Sequence, residues 1–390
     1  MSAHNTILAI FVGIGLLVSC STNPSKEDVA NHVHKEKTEQ YQLIDSLFNS
    51  SPLPNLVYAE FTADSILEVG AFGTGGKDAM TSSHQQYMAS VSKTMIAVCL
   101  MKMIDDGMVN LDDRLVDHVN IQLPEDLHGI TLKQLATHTS GITDPEWYNK
   151  SYVFENALNK SEWPEAWHDH LDALDGNPKM RLAPFLNESI ERDPTSIIAT
   201  EVAEDGYEYS NIGASLLALA VENKSGKSFE EYCQANVFGP LKMQSAVWDH
   251  TKVKKMAIGQ LENGHPCPQY YLNTYPDGGL ICSVDDLIKF GQEVMKGYQG
   301  NQDANRLLSQ EGYQTMFSHQ GNSVQDDIGV LWELTPDCCI GHSGNDFGTS
   351  TMLYFEKESG VGRILTCSIS METEEIEEAY YSIWNVLFEK

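Results

Sequence analysis

The chain has 390 residues, 55 of them acidic and 25 basic, for a formal net charge of −30. That length holds two or three domains, or one large unit of two interlocked subdomains. The acidity argues against a nucleic-acid partner, because phosphate binding needs a basic stripe and none occurs; the surface it describes is soluble and self-repelling, and suits a salty medium that screens charges within about 10 Å.

In chain order the first feature is an apolar run, Ile7 to Val18, whose end overlaps the tetrapeptide Leu17-Val18-Ser19-Cys20. A membrane-spanning helix needs about twenty apolar residues, so the run reads as the hydrophobic part of an export signal. The tetrapeptide resembles a bacterial lipobox, which implies a lipid on Cys20 and Cys20 as the mature N-terminus. Met1 to Thr6 lacks the usual Lys or Arg, and an ordinary cleaved signal is the alternative. The expected organisation is a signal peptide over 1–19, a polar tether and lead-in over 20–50, and one folded domain over 51–390. Such a protein is an exported lipoprotein of the bacterial cell envelope, attached to a membrane through Cys20.

Leu56 to Thr62 and Ile66 to Phe72 flank Ala63-Asp64-Ser65 and predict a hairpin. Helical spacing follows in Val91 to Asp105, Leu132 to Ala136, Ala214 to Glu222 and Leu287 to Met295. The stretch 144–205 is long, acidic and carries Trp147, Trp163 and Trp167; it reads as a helical insertion, either a wall over a site or a decoration whose tryptophans pack. Thr351 to Phe355 and Val361 to Ser370 form a second hairpin pattern, and Ile376, Ala379, Tyr380, Ile383 and Leu387 predict a terminal helix with one apolar face. Strands at both ends with helices between them predict one sheet built from both termini. Besides Cys20, seven cysteines at irregular spacing give neither a disulfide framework nor a zinc pattern, and Cys99 and Cys367 read as small buried hydrophobes.

Ser90-Val91-Ser92-Lys93 opens the strongest helical pattern, so Ser90 sits at or near a helix start with Lys93 one turn along on the same face. A helix start stabilises an alkoxide and offers free N–H groups, and a nearby amine of lowered pKa takes the hydroxyl proton. By itself the spacing is a weak signal, and an N-cap serine followed by a solvated lysine is the commoner reading of it. Two further triplets change that reading: Tyr209-Ser210-Asn211 ahead of a helix, and His342-Ser343-Gly344 ahead of the strand Thr351 to Phe355.

This order of motifs resembles the serine hydrolase superfamily of class C β-lactamases, penicillin-binding proteins, D,D-carboxypeptidases and related esterases. The resemblance extends through Asp106 to Asp113, Leu135 to Ile142 (L-A-T-H-T-S-G-I), Phe238 to Met243 and Gly278 to Leu287, and covers about Pro54 to the C-terminus. It implies an α+β, β-lactamase/transpeptidase-like fold: an antiparallel sheet flanked by helices, a mainly helical subdomain, and a site between them. It also implies that Ser90 is the nucleophile, that Lys93 and Tyr209 share the acid and base work, and that Asn211 orients a substrate amide. The oxyanion would be held by the backbone N–H groups of Ser90 and Asn345, just after His342, Ser343 and Gly344. The Lys93 ammonium is expected to lower the pKa of Tyr209.

Where β-lactamase relatives keep a lysine, this chain has His342, expected to be a switchable cation of ordinary pKa near 6.5. That change favours an esterase or carboxypeptidase over a true β-lactamase. The expected substrate is a small-molecule or peptide ester or amide, with no cofactor and no metal. His168 and His170, like His32 and His34, read as loop histidines; Asp112-Asp113 reads as turn chemistry and His138 as a structural hydrogen-bonding residue. The rival function is a non-catalytic surface lipoprotein that keeps the fold as a binding module.

Overall fold

In the computed structural model, which describes residues 39–199, 206–301, 307–320, 327–335 and 338–388, the two ends of the chain meet in one sheet. The signal, the lipobox and His32 and His34 lie outside the described residues. A helix over 39–49 (α1) leads into β1 (Asn55–Phe61) and β2 (Ile66–Gly73). The chain then runs through β3 (Gln85–Tyr87), α2 (Lys93–Asp105), α3 (Leu132–Ala136), β4 (Tyr152–Phe154), α4 (Leu171–Leu174) and α5 (Leu182–Arg192). Next come α6 (Asn211–Ser225), α7 (Phe229–Cys233), α8 (Gly239–Leu241), β5 (Tyr270–Leu272), β6 (Ile281–Ser283), α9 (Val284–Tyr298) and α10 (Gln310–Met316). It closes with β7 (Glu333–Leu334), β8 (Cys339–Asp346), β9 (Thr349–Glu356), β10 (Gly362–Cys367) and α11 (Glu374–Phe388).

The large sheet is antiparallel throughout, in the order β2-β1-β10-β9-β8-β7. All of β1 is buried, and its two-residue alternation explains why. Leu56 and Tyr58 pack with Leu365, Ile44 of α1 and Ile376, Tyr380 and Trp384 of α11, whereas Val57, Ala59 and Phe61 belong to the main core on the other face. The terminal helix thus covers one face and α9 the other, which makes the sheet the middle layer.

Beyond α9 the helical cluster centres on α2. Its residues from Lys93 to Met101, and Met103, are all buried, so the three- and four-residue apolar spacing marks a central helix rather than one with a single apolar face. Helix α6 packs across it. The start of α6 is fixed by Ser210, whose hydroxyl accepts from Gly213 N (2.8 Å), and its end by Gly226 at φ +69°, a conformation that glycine adopts without strain.

The 144–199 segment is less helical than its pattern predicts. Only α4 and α5 are α-helical; the rest is 3₁₀ turns, loop and strand β4, which pairs with β5. Its tryptophans pack: Trp163 and Trp167 stand edge-on to Phe347, and Trp147 Nε1 donates to Ser196 Oγ (3.0 Å). Cys338 and Cys339 form a vicinal disulfide at the start of β8, a pairing the irregular spacing had not announced. Cys99, Cys233, Cys267, Cys282 and Cys367 are free and buried. Among the described residues no helix is long and apolar enough to cross a membrane.

Candidate active site

Ser90 lies in a 3₁₀ turn, Ala89–Ser92, that runs directly into α2. Its side chain caps nothing, so the N-cap reading does not describe it. The preceding Ala89 is left-handed at φ +45°, a strain of about 1–3 kcal/mol that surrounding structure must hold in place. Strand β8 supplies that structure. A Cβ at Gly344 would stand 2.7 Å from Ser90 N and 2.8 Å from Met88 O, so only glycine lets the strand approach the nucleophile's backbone this closely.

Lys93 is fully buried one turn along α2. Its Nζ lies 3.1 Å from Ser90 Oγ, 2.6 Å from Asn211 Oδ1 and 2.8 Å from the Asp277 carbonyl oxygen. The last two can only accept, so a neutral amine gives each of them one N–H and keeps its lone pair for the Ser90 hydroxyl. Burial lowers the Lys93 pKa to about 8 against the opposing pull of Asp277, Asp144 and Asp346.

Tyr209 packs beside this pair, with Lys93 Nζ 5.0 Å from its ring centroid and its hydroxyl bonded to Ser90. Burial raises the Tyr209 pKa well above 10; the Ser90 bond opposes this, and Glu333, Asp144 and Asp277 reinforce it. The expected order of acidities is therefore reversed: the phenol keeps its proton and the amine is the group that gives it up. His138, at φ +53°, accepts from Ser210 N through Nδ1 (3.2 Å) and packs on the Tyr209 ring, with burial lowering its pKa well below 6.5. It is a neutral structural residue.

Asn211 bridges two charges, since its Nδ2 donates to Asp144 Oδ2 (2.7 Å) while its Oδ1 takes the Lys93 bond. Asp144 also accepts from Asn211 N (3.0 Å), Ile212 N (2.9 Å) and Ser210 Oγ (3.1 Å). It thus caps α6 from outside the helix and fixes the amide that fixes Lys93. Asp277 holds the opposite side: its carboxylate accepts from Tyr148 OH (3.1 Å) and Ser215 Oγ (2.9 Å), and burial raises its pKa.

His342, Ser343 and Gly344 lie within β8 itself, beside β9 rather than ahead of it. His342 Nδ1–H donates to Ser343 O (2.6 Å), and its ring is buried 3.8 Å from Glu333 Oε1. Burial and the nearby Lys93 lower its pKa to about 3. The expected switchable cation is instead a neutral imidazole throughout the physiological range. Ser343 donates from both N–H and hydroxyl to Glu333, so its N–H faces away from β9. By two-residue alternation the Asn345 N–H faces the same way, past the end of β7, and Asn345 lines the same cavity as Ser90. The Asn345 side chain turns aside, donating to Glu372 Oε1 (3.1 Å) and accepting from Met371 N (2.8 Å).

A small cavity opens onto Ser90, lined also by Ala89, Tyr148, Tyr152, Asn211, Asp277, Gly278, Asn345 and Asp346. Tyr148 and Tyr152 come from the 144–199 segment, which makes that segment a wall of the site. Sequence reasoning marked Asn345-Asp346 as a departure from the family pattern that bears on specificity, but did not single out Asp144 or Asp277, two single acids among 55. The only local signals were the position of Asp144 just after the Leu135 to Ile142 stretch and that of Asp277 just before Gly278-Gly279. His168 Nε2 meets Trp163 O (3.1 Å), Asp113 accepts from Asn110 N (2.8 Å), and Asp112 pairs with Lys133 (2.6 Å). Among the described residues no group of His, Cys, Asp or Glu is arranged to hold a metal ion.

The Beta-lactamase family matches residues 56–387. The chain belongs to that family. Among curated relatives, Protein flp of Staphylococcus aureus (strain MW2) is 23% identical over 295 residues, covering 73% of this chain and 53% of its own length. The putative penicillin-binding protein PbpX of Bacillus subtilis (strain 168) is 25% identical over 264 residues, covering 66% and 55%. The chain therefore spans about half the length of these relatives. Among solved structures, the D-amino acid amidase of Ochrobactrum anthropi SV3 superposes with a TM-score of 0.66 at 17% identity, covering 90% of this chain and 99% of that one. The penicillin binding protein of Bacillus halodurans gives 0.64 at 20%, covering 87% and 99%. The β-lactamase/transpeptidase fold is thus shared along nearly the whole folded part of the chain.

Proposed function

We propose that this Beta-lactamase family member is a serine hydrolase that forms an acyl-enzyme on Ser90 from an ester or amide. The observation that carries the reading is the environment of Lys93. Two acceptor-only oxygens take its N–H bonds and aim its lone pair at Ser90 Oγ, while burial brings its pKa to about 8.

In the first half-reaction Lys93 takes the Ser90 proton as Oγ bonds to the carbonyl carbon. The carbonyl oxygen, now an anion, lies between the Ser90 and Asn345 N–H groups. As the intermediate collapses, the bond to the leaving group breaks, Tyr209 passes it a proton, and the Lys93 ammonium restores the phenol. Water then enters by the reverse of this proton path and releases the acid. Neutral His342 supplies no cation for a substrate carboxylate, so neutral short-chain esters are better substrates than β-lactams. The deciding test is a fluorophosphonate probe together with p-nitrophenyl butyrate and nitrocefin from pH 6 to 9. The expected result is a label on Ser90 and faster ester turnover at every pH. No label on the folded protein favours the binding-module rival; kcat/KM for nitrocefin about tenfold above that for the ester restores β-lactam hydrolysis.

A further inference from the structure

The shortness of β7 leaves part of β8 uncovered. Its two residues pair Glu333 with Gly341 and Leu334 with Ile340, whereas β8 continues to Asp346 along β9. Beyond Gly341 the outward main-chain groups of β8 therefore have no strand to bond, and each needs another partner. Side chains take the strand's place. The carbonyl of Ser343 accepts from His342 Nδ1–H (2.6 Å), and the N–H of Ser343 donates to the Glu333 carboxylate, as does its hydroxyl. The next outward N–H is that of Asn345, which lines the cavity onto which Ser90 opens.

Glu333 reaches Ser343 through a row of residues across the sheet. Glu333, Gly341 and Tyr354 are register partners on β7, β8 and β9. A Cβ at Gly341 would overlap the Tyr354 ring, so glycine there lets the ring lie across β8 and its hydroxyl donate to Glu333 Oε2. Ser343, two residues along from Gly341, presents its hydroxyl on the same face. One carboxylate on β7 thus collects donors from both β8 and β9. No cation neutralises it: among the described residues the only base within ion-pair range is His342, whose ring is neutral and 3.8 Å away, too far for a hydrogen bond. Burial raises the Glu333 pKa to about 7, against the pull of Tyr354 and Ser343. Its charge leads those that keep the Tyr209 phenol protonated, so Glu333 lies within the field of the site.

We propose that Glu333 is a positioning residue for the acyl transfer: by taking both donors of Ser343 it fixes the open edge of β8, and with it the Asn345 N–H that receives the oxyanion. The proposal rests on the acyl-transfer reading and deepens it by naming what holds the oxyanion strand. It also reassigns Ser343, whose hydroxyl is committed to Glu333 instead of being offered to substrate. The role uses the reach of two acceptor oxygens and not their charge. Because the oxyanion forms only as the carbonyl turns tetrahedral, a displaced Asn345 N–H weakens the transition state more than the bound ester.

The test compares Glu333→Asp with Glu333→Gln in the full chain, with p-nitrophenyl butyrate as substrate and phenylboronic acid as a tetrahedral mimic. Aspartate keeps the charge but is one methylene short; glutamine keeps the reach and still accepts from Ser343. Rates are expressed per Ser90 labelled to completion by the fluorophosphonate, so a poorly folded fraction does not count. In Glu333→Asp, kcat should fall about tenfold or more with KM within about twofold of wild type, part of the roughly 10²–10³-fold that losing a whole oxyanion donor costs. The inhibition constant of the boronic acid should rise by the same factor. Glu333→Gln should keep kcat within about threefold of wild type. A charge acting on Tyr209 through space would reverse the order of the two variants. A purely structural role would lower the melting temperature without separating kcat from KM or weakening the boronic acid. Either result, a loss shared equally by both variants, or wild-type kcat in Glu333→Asp overturns the assignment of Glu333. If the wild-type chain neither turns over the butyrate nor takes the probe on Ser90, the acyl-transfer reading itself fails and the role of Glu333 falls with it.

Discussion

Lys93 works by what surrounds it. Burial favours its neutral form, three carboxylates favour the charged one, and the balance leaves it a base near neutral pH. The activity should follow the fraction of neutral amine. With a pKa of about 8, kcat/KM for a neutral ester should rise about tenfold per pH unit up to pH 7 and level off above pH 9. Stopped assays at constant ionic strength between pH 6 and 9.5 measure it, and a flat profile would remove Lys93 as the base. Ser90→Ala and Lys93→Ala should each abolish turnover, because residues that act as one unit fail together. The Ser90→Ala protein should keep its melting temperature, since its hydroxyl caps no helix. The motifs carried these residues plainly: Ser90, Lys93, Tyr209, Asn211 and His342 stood out through their order. What they did not carry was protonation, because His342 and Tyr209 owe their shifts to burial by segments far away in sequence.

At the level of elements, Asp144 is the clearest case of a structural residue acting on the chemistry. It satisfies the N–H groups at the start of α6 and, through Asn211, aligns Lys93. Asp144→Asn turns one of its acceptor oxygens into a donor facing donors. It should lower the stability to urea by about 2–3 kcal/mol, the scale of hydrogen bonds to a charged group. It should also move the acid limb of the pH–rate profile to lower pH, because the lost anion was one that favoured the Lys93 ammonium. An acid limb that stays in place would show that Asp144 only holds the helix. Hairpin β1–β2, strands β9 and β10 and helices α3, α9 and α11 were legible because each is long enough, or well enough bounded, for its period to show. Strands β3 to β6 were not, because three residues carry no period. The 144–205 pattern misled in part for a related reason: Phe154, Trp163 and Trp167 are spaced for packing on Phe347 and lie outside the two helices, α4 and α5, that do form.

For the whole molecule, the lipobox pattern gives a test that does not depend on the site. Two or more acyl chains on Cys20 would hold the protein on a membrane where one would not. Cys20→Ala should move it from the membrane fraction to the soluble one, and a variant that stays with the membrane would show that Cys20 is not the anchor. The sheet has a consequence in time. Its β1–β10 pair joins Val57 to Thr366, so β1 waits for a partner made 309 residues later. At about 5–20 residues per second, synthesis leaves that strand without its neighbour for roughly 15–60 s. Ser90 and Lys93 are made early, but the strand that presses against them comes near the end. A chain ordered this way cannot close its core around the nucleophile while it is still emerging, and it stays threadable until almost the last strand is made.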